Sequence, residues 1–202
     1  MLDLGAGTGR LTGELARAAR RVIAVELDPG LAAGLRGRWP NVEVVQGDAA
    51  HMRLPDESFH VVANLPFGRT NELLRLLLDD PQLRLERADV VVQWEVAVKR
   101  GLPWPSTANG VYWGAFYEMT VARKIPARAF DPRPAVDAGV LVMRKRPEPL
   151  VPRELAARYR SFVARGFRHG KPAARGLLPR DLDQHRWAAL FLERLSRSPS
   201  RM

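Results

Sequence analysis

Asn64, Leu65, Pro66 and Phe67 end the stretch "ESFHVVANLPF", in which the preceding run reads as a strand nearing the end of a sheet. A hairpin turn uses Asn and Pro, but it rarely adds an aromatic ring where the chain should become polar. An amide oxygen, a rigid turn and a ring in succession suit the capture of a flat, amine-bearing base. The amine of such a base is a poor nucleophile, because its lone pair is delocalised into the ring. The Asn64 side-chain oxygen and the backbone carbonyl of Leu65 or Pro66 would accept its two hydrogens and draw the nitrogen toward tetrahedral. Its lone pair then points at an electrophile, while Pro66 stiffens the turn and Phe67 stacks on the flipped base.

An electrophile carrier has a place upstream. "MLDLGAGTGRLT" sets Gly5, Gly7 and Gly9 between a strand and a helix, where glycines admit a ligand close to the backbone and the helix offers free N–H groups. The spacing is G-x-G-x-G rather than the G-x-G-x-x-G of dinucleotide sites, and after "LDLG" it favours S-adenosylmethionine (SAM) over another nucleotide or a structural turn. Glu26 ends the next apolar run and suits both ribose hydroxyls; a plain solvated acid is the alternative. Asp48 in "QGDAA" suits the adenine amine, with Ala49 leaving room for the ring, or serves only as a helix N-cap. The three features fall at the ends of successive strands, and ligands bind at that edge of an open α/β sheet.

The runs "MLDL", "VIAVE", "VEVV", "FHVVA" and "DVVVQ" alternate with helical patterns and predict a mostly parallel sheet covered by helices. Leu11, Leu15 and Ala18, then Leu31 and Leu35, then Leu73, Leu74 and Leu77 should face it. "YEMTVARKI" and "AGVLVMRKR" leave no room for a crossover helix and predict an antiparallel pair at one edge. "RPEPLVP" (146–152) marks a linker between a domain of residues 1–146 and a small helical domain of residues 153–196. In the latter, Leu155, Tyr159, Phe162 and Val163, then Trp187, Leu190, Phe191 and Leu195, define apolar faces. Trp94, Trp104, Trp113 and Met119 read as core or loop packing, and the last residues, "SRSPSRM", should fray.

The chain has 202 residues and a net charge of +10, and residues 151–202 hold 12 Lys and Arg against 4 Asp and Glu. That tail suits a polyanion or is simply a solvated basic surface. Arg165, Arg168 and Lys171 are its candidate contacts to RNA phosphate, expected to position the chain without reading sequence. The absence of Cys excludes disulfides and thiolate chemistry, the four His lack zinc-site spacing, and no metal is expected. No membrane span or signal peptide is legible, so a cytoplasmic monomer is expected.

"NLPF", together with "GAGTGRLT", "VIAVELD" and "GDA", resembles the ribosomal RNA adenine dimethyltransferase family, which comprises the Erm and KsgA groups. "VVQWEVAVKR" (91–100) and "FDPRPAVDAGVL" (130–141) resemble later segments of the Erm group, so the likeness spans residues 1 to 150. It implies a Rossmann-like SAM-dependent methyltransferase sheet, mostly parallel with an antiparallel edge, plus a small basic C-terminal helical domain. It further implies transfer of one or two methyl groups to the exocyclic amine of an adenine in 23S ribosomal RNA, giving resistance to macrolides, lincosamides and streptogramin B. Gly5, Gly7, Glu26 and Asp48 would hold SAM, and Asn64, Leu65, Pro66 and Phe67 the target adenine.

A KsgA-type enzyme of the small subunit is the alternative, as is an RNA-binding relative with little activity. A small-molecule methyltransferase would have no use for NLPF or the basic tail. Two departures from the family pattern stand out. Met1 falls inside the first strand, so the N-terminal segment that covers the methionine end of SAM is expected to be missing from this chain. Ala138 and Gly139 stand where Ser is frequent.

Overall fold

Apolar runs flanked by helical patterns leave the chain no route to hairpins in its first hundred residues, and a parallel sheet results. A computed structural model describes residues 1–101, 107–169 and 177–197. The first strands are β1 (Leu2–Leu4), β2 (Val22–Glu26), β3 (Val42–Gln46), β4 (Phe59–Asn64) and β5 (Leu85–Gln93). Helices α1 (Arg10–Ala18), α2 (Pro29–Leu35) and α3 (Thr70–Leu78) lie between them, and α4 (Trp94–Gly101) and α5 (Ala108–Gly114) follow β5. β6 (Tyr117–Ile125) and β7 (Ala138–Lys145) complete the sheet, in the order β3-β2-β1-β4-β5-β7-β6.

The first five strands are parallel, and β7 inserts antiparallel between β5 and β6. The expected antiparallel edge pair is therefore present, with β6 outermost. Strand order reverses between β1 and β4, which opens a crevice at their carboxyl ends.

Core packing follows the apolar pattern with three exceptions, the first being Leu11, which is half-buried and lines a cleft with Gly5 and Asn64 instead of joining the core. Leu73, Leu74 and Leu77 are buried against the sheet, as are Leu15 and Leu35. Leu31 is 39% exposed and Ala18 is also exposed, contrary to expectation; Ala32 and Thr12 take the buried positions instead. Both helices are short, so each presents only a narrow stripe to the strands. Gly139, one of the departures from the family pattern, is dictated by packing. A Cβ there would lie 2.8 Å from the Ala97 Cβ and 3.0 Å from the Trp94 ring, so α4 can cross β7 closely only over a glycine. Trp113 is fully buried, Trp94 half-buried beneath Lys124, and Met119 packs against the core, whereas Trp104 lies outside the described residues.

Past the proline-rich segment come α6 (Ala156–His169) and α7 (Gln184–Ser196). They share one continuous core with the sheet: Tyr159 stacks on Tyr112 at 6.3 Å, and Val163, Trp187 and Phe191 join the same apolar cluster. Arg160 reinforces the junction. Its guanidinium lies 4.1 Å from the centre of the Tyr112 ring and donates to the Asp79 carboxylate and carbonyl at the end of α3. Val151 in the intervening segment is buried, and Leu150 N donates to Ala115 O, so this stretch is pinned rather than loose. Among the described residues no helix is long and apolar enough to cross a membrane.

Candidate active site

The glycine loop is shaped by backbone that other residues would strain. Gly5, Gly7 and Gly9 have φ of 77°, 57° and 82°, the left-handed region where a side chain costs energy. Gly5 N and Ala6 N both donate to Val25 O, tying the loop to β2. A Cβ on Gly5 would lie 3.4 Å from Pro66, so the loop and the NLPF turn abut across the β1/β4 switch point. Between them opens a cleft of about 490 Å³ whose walls include Asp3, Gly5, Gly7, Arg10, Asn64 and Phe130.

Asn64 closes β4 with an exposed side chain that has no hydrogen-bond partner among the described residues. Leu65 is 1% exposed, and its N–H donates to Val91 O at 3.0 Å, extending the ladder by one residue past β4. The two candidate carbonyls differ. That of Pro66 accepts from Arg69 N at 2.9 Å and Thr70 Oγ1 at 3.3 Å, while that of Leu65 accepts nothing among the described residues. Leu65 therefore supplies the free acceptor. Phe67 opens a single 3₁₀ turn, half-buried.

Glu26 is 8% exposed and accepts from Gly7 N at 2.7 Å and Asp28 N at 2.9 Å. A carboxylate offers four acceptor positions, so two stay open for hydroxyl groups. Asp48 differs in this respect. It accepts from Ala50 N, from two nitrogens of Arg69 at 2.6 and 3.0 Å, and approaches His51 Nδ1 at 3.0 Å. It caps the 3₁₀ turn that begins at Ala49, and all four positions are occupied. An adenine amine would have to displace Arg69 or His51. The Arg69 hydrogen bonds hold the Asp48 carboxyl well below the usual carboxylate range.

Three residues here escaped the sequence reading as parts of the site: Arg69, Asp3 and, on the cleft wall, Phe130. Arg69 is the N-cap of α3, where the helix dipole disfavours a cation unless acids stand nearby, and Asp48 and Glu72 are those acids. Asp3 lies in a strand buried on both faces, where a carboxylate needs a partner or a purpose. Its partner is Thr12 Oγ1 at 2.7 Å, inside α1. Burial pushes its carboxyl up to about 6, with the Glu26 charge adding and the Thr12 bond opposing.

The folded state therefore binds the Asp3 proton more tightly than the unfolded chain, whose value is 3.8. Its contribution to stability is complete below that value and is lost as pH rises through about 6. Asp3→Asn removes the dependence. Its melting temperature should match wild type near pH 4 and exceed it by several degrees at pH 7.5, on the order of 2–3 kcal/mol. A difference that does not change between the two pH values would refute the assignment.

The family described as ribosomal RNA adenine dimethylase matches residues 1–172. The chain belongs to that family. Within it, an rRNA adenine N-6-methyltransferase of Corynebacterium diphtheriae is 35% identical over 165 residues, covering 81% of this chain and 64% of that protein. A protein of Methanosarcina acetivorans described as a probable ribosomal RNA small subunit methyltransferase A is 35% identical over 175 residues, covering 83% of this chain and 62% of that protein. The chain thus spans a little under two thirds of the length of both curated relatives. The crystal structure of the 23S rRNA methyltransferase ErmE superposes with a TM-score of 0.80 at 31% identity, covering 96% of this chain and 90% of that one. In this dimethylase-family chain Arg165 and Arg168 are exposed on α6, and Lys171 lies outside the described residues.

Proposed function

We propose that the chain transfers methyl groups from SAM to the exocyclic amine of an adenine in ribosomal RNA. The observation that carries this is an open acceptor, the Asn64 side chain, on the wall of the glycine-loop cleft, followed directly in the chain by a second open acceptor, the Leu65 carbonyl. The residues present fit SAM. The loop leaves space above Gly7, where an added Cβ would meet nothing within 4 Å, and Glu26 keeps two acceptor positions for ribose. Asp3 offers a buried carboxylate on the same wall, suited to a cation. When bound, SAM supplies a methyl group on a positively charged sulfur.

Asn64 Oδ1 and Leu65 O accept hydrogen bonds from the two amine hydrogens, so the nitrogen lone pair is aimed into the cleft. Phe130, which lines the cleft with Asn64, and Phe67, which opens the 3₁₀ turn after it, provide apolar surfaces for an extruded base. Positioning and preorganised acceptors suffice, and the surplus proton of the product leaves to water. The finer reading is 23S RNA and macrolide-lincosamide-streptogramin B resistance, supported by the likeness to ErmE across nearly the whole chain. The similarity to the Methanosarcina protein favours the small subunit as the second reading. Either substrate fits a cytoplasmic monomer.

Labelled SAM incubated with protein-free large- and small-subunit RNA, followed by a primer-extension stop, tests this. A stop at one adenine of the large-subunit RNA is the expected result. Label in the small-subunit RNA alone supports the second reading, and label in neither defeats both.

A further inference from the structure

Away from the β1/β4 crevice, α6 and α7 enclose an open cleft of about 430 Å³. Its floor is Phe162, Phe191 and Leu195, and its rim is Arg158, Ser161, Arg165 and Arg194. The floor is rigid. The Phe162 and Phe191 rings sit 5.5 Å apart, and each is braced by a second ring, Trp187 at 5.7 Å and Tyr159 at 5.2 Å. On α6 the positions 158, 161, 162 and 165 form one face by helical spacing, and Arg194 comes from the last turn of α7.

The rim arginines differ from those that are neutralised locally. Arg69, Arg87, Arg146 and Arg160 each hold a carboxylate. Among the described residues Arg158, Arg165 and Arg194 hold none, and Glu193, beside Arg194 in sequence, pairs with Arg197 instead. Three exposed guanidinium groups thus surround one hollow without an acid to neutralise them, which suits a polyanion. An inorganic anion would use the rim and leave the apolar floor uncovered. A nucleotide uses both, because its phosphates bind arginine while its base lies on apolar surface or against a guanidinium plane.

We propose that this cleft seats one unpaired nucleotide of an RNA strand, base inward over Phe162, Phe191 and Leu195, with the flanking phosphates on Arg158, Arg165 and Arg194. The proposal rests on the reading that the chain acts on RNA, but it concerns a site separate from the methyl-transfer cleft. It also differs from a diffuse basic tail, since it requires a base as well as phosphates.

The test uses a short fluorescein-labelled single-stranded oligoribonucleotide, its abasic counterpart of equal length, and anisotropy titrations over a range of salt. Ser161→Glu adds a charge at the rim without touching the core, and Arg158→Ala with Arg194→Ala removes two phosphate contacts. Both should melt like wild type. Each should bind the base-bearing strand about tenfold more weakly. The double variant should flatten the salt dependence by about 0.7 per lost contact. Wild type should prefer the base-bearing strand to the abasic one, and Ser161→Glu should lose that preference.

Wild-type affinity in both variants would overturn the proposal. So would equal wild-type affinity for base-bearing and abasic strands, which would leave a phosphate surface only. Displacement of RNA by a poly-glutamate peptide at equal charge concentration would overturn it in favour of an acidic protein partner. Methyl transfer to ribosomal RNA is measured on the same preparations. Its absence in wild type would sink the proposed function and leave the strand-binding result standing, so the two failures are distinguishable.

Discussion

Asn64→Ala should lower methyl transfer by about a hundredfold or more while leaving SAM affinity and melting temperature close to wild type, as when one preorganised group aimed at the reacting centre is removed. The structure explains why these effects separate. The Asn64 side chain is exposed and has no hydrogen bond among the described residues, so its loss opens no cavity and leaves no buried polar group unpaired. Its backbone stays in register, because Leu65 N is bonded to Val91 O on the next strand. What disappears, on the proposed function, is one of the two acceptors for the amine hydrogens. The Leu65 carbonyl remains and would orient the base only partly. Single-turnover kinetics with saturating RNA measure the loss directly, and a variant within fivefold of wild type would end the proposed role. Asn64→Asp separates geometry from charge. It keeps an acceptor oxygen and should retain more activity than the alanine variant.

The parts of this molecule legible in the sequence are those set by short-range pattern. Continuous Val, Leu and Ile runs marked the buried parallel strands, and the abrupt appearance of Asn64 to Phe67 at a strand end marked a candidate site. Contacts between distant segments were not legible. Asp48 and Arg69 are 21 residues apart, and nothing in the sequence ties Arg69 to the adenine contact or N-cap read at Asp48, yet their paired hydrogen bonds fix the NLPF turn against the end of β3. The same holds for α6 and α7, whose apolar faces were visible but whose partners were not. Tyr112 and Trp113 of α5 supply them, and the helices share the core of the sheet. Phe130 reaches the cleft only because β6 and β7 pair and carry their connecting loop to the carboxyl edge. No spacing rule could have placed it beside Asn64.

Glu26→Ala should weaken SAM binding by about 1.5 to 3 kcal/mol, roughly ten- to a hundredfold, through the loss of charge-assisted hydrogen bonds. Two causes would contribute, because the carboxylate both faces the ribose position and ties Gly7 N to Asp28 N. The second tie is structural. Without it the glycine loop keeps its bonds to Val25 O, its internal bond from Gly9 N to Ala6 O and the bond from Arg38 to Thr8 O, and a fall of a few degrees in melting temperature is expected as well. A cycle with a cofactor analogue resolves the causes. Calorimetry with S-adenosylhomocysteine and with an analogue lacking the ribose hydroxyls, on wild type and Glu26→Ala, gives four affinities. If Glu26 accepts from the ribose, removing the hydroxyls costs affinity in wild type and almost nothing in the variant. If the carboxylate only shapes the loop, both proteins pay the same penalty for the truncated analogue. Glu26→Gln adds a further control, since its amide must turn an N–H toward either Gly7 N or Asp28 N. It should therefore bind no better than the alanine variant, despite being closer in size, because a donor facing a donor costs more than open space.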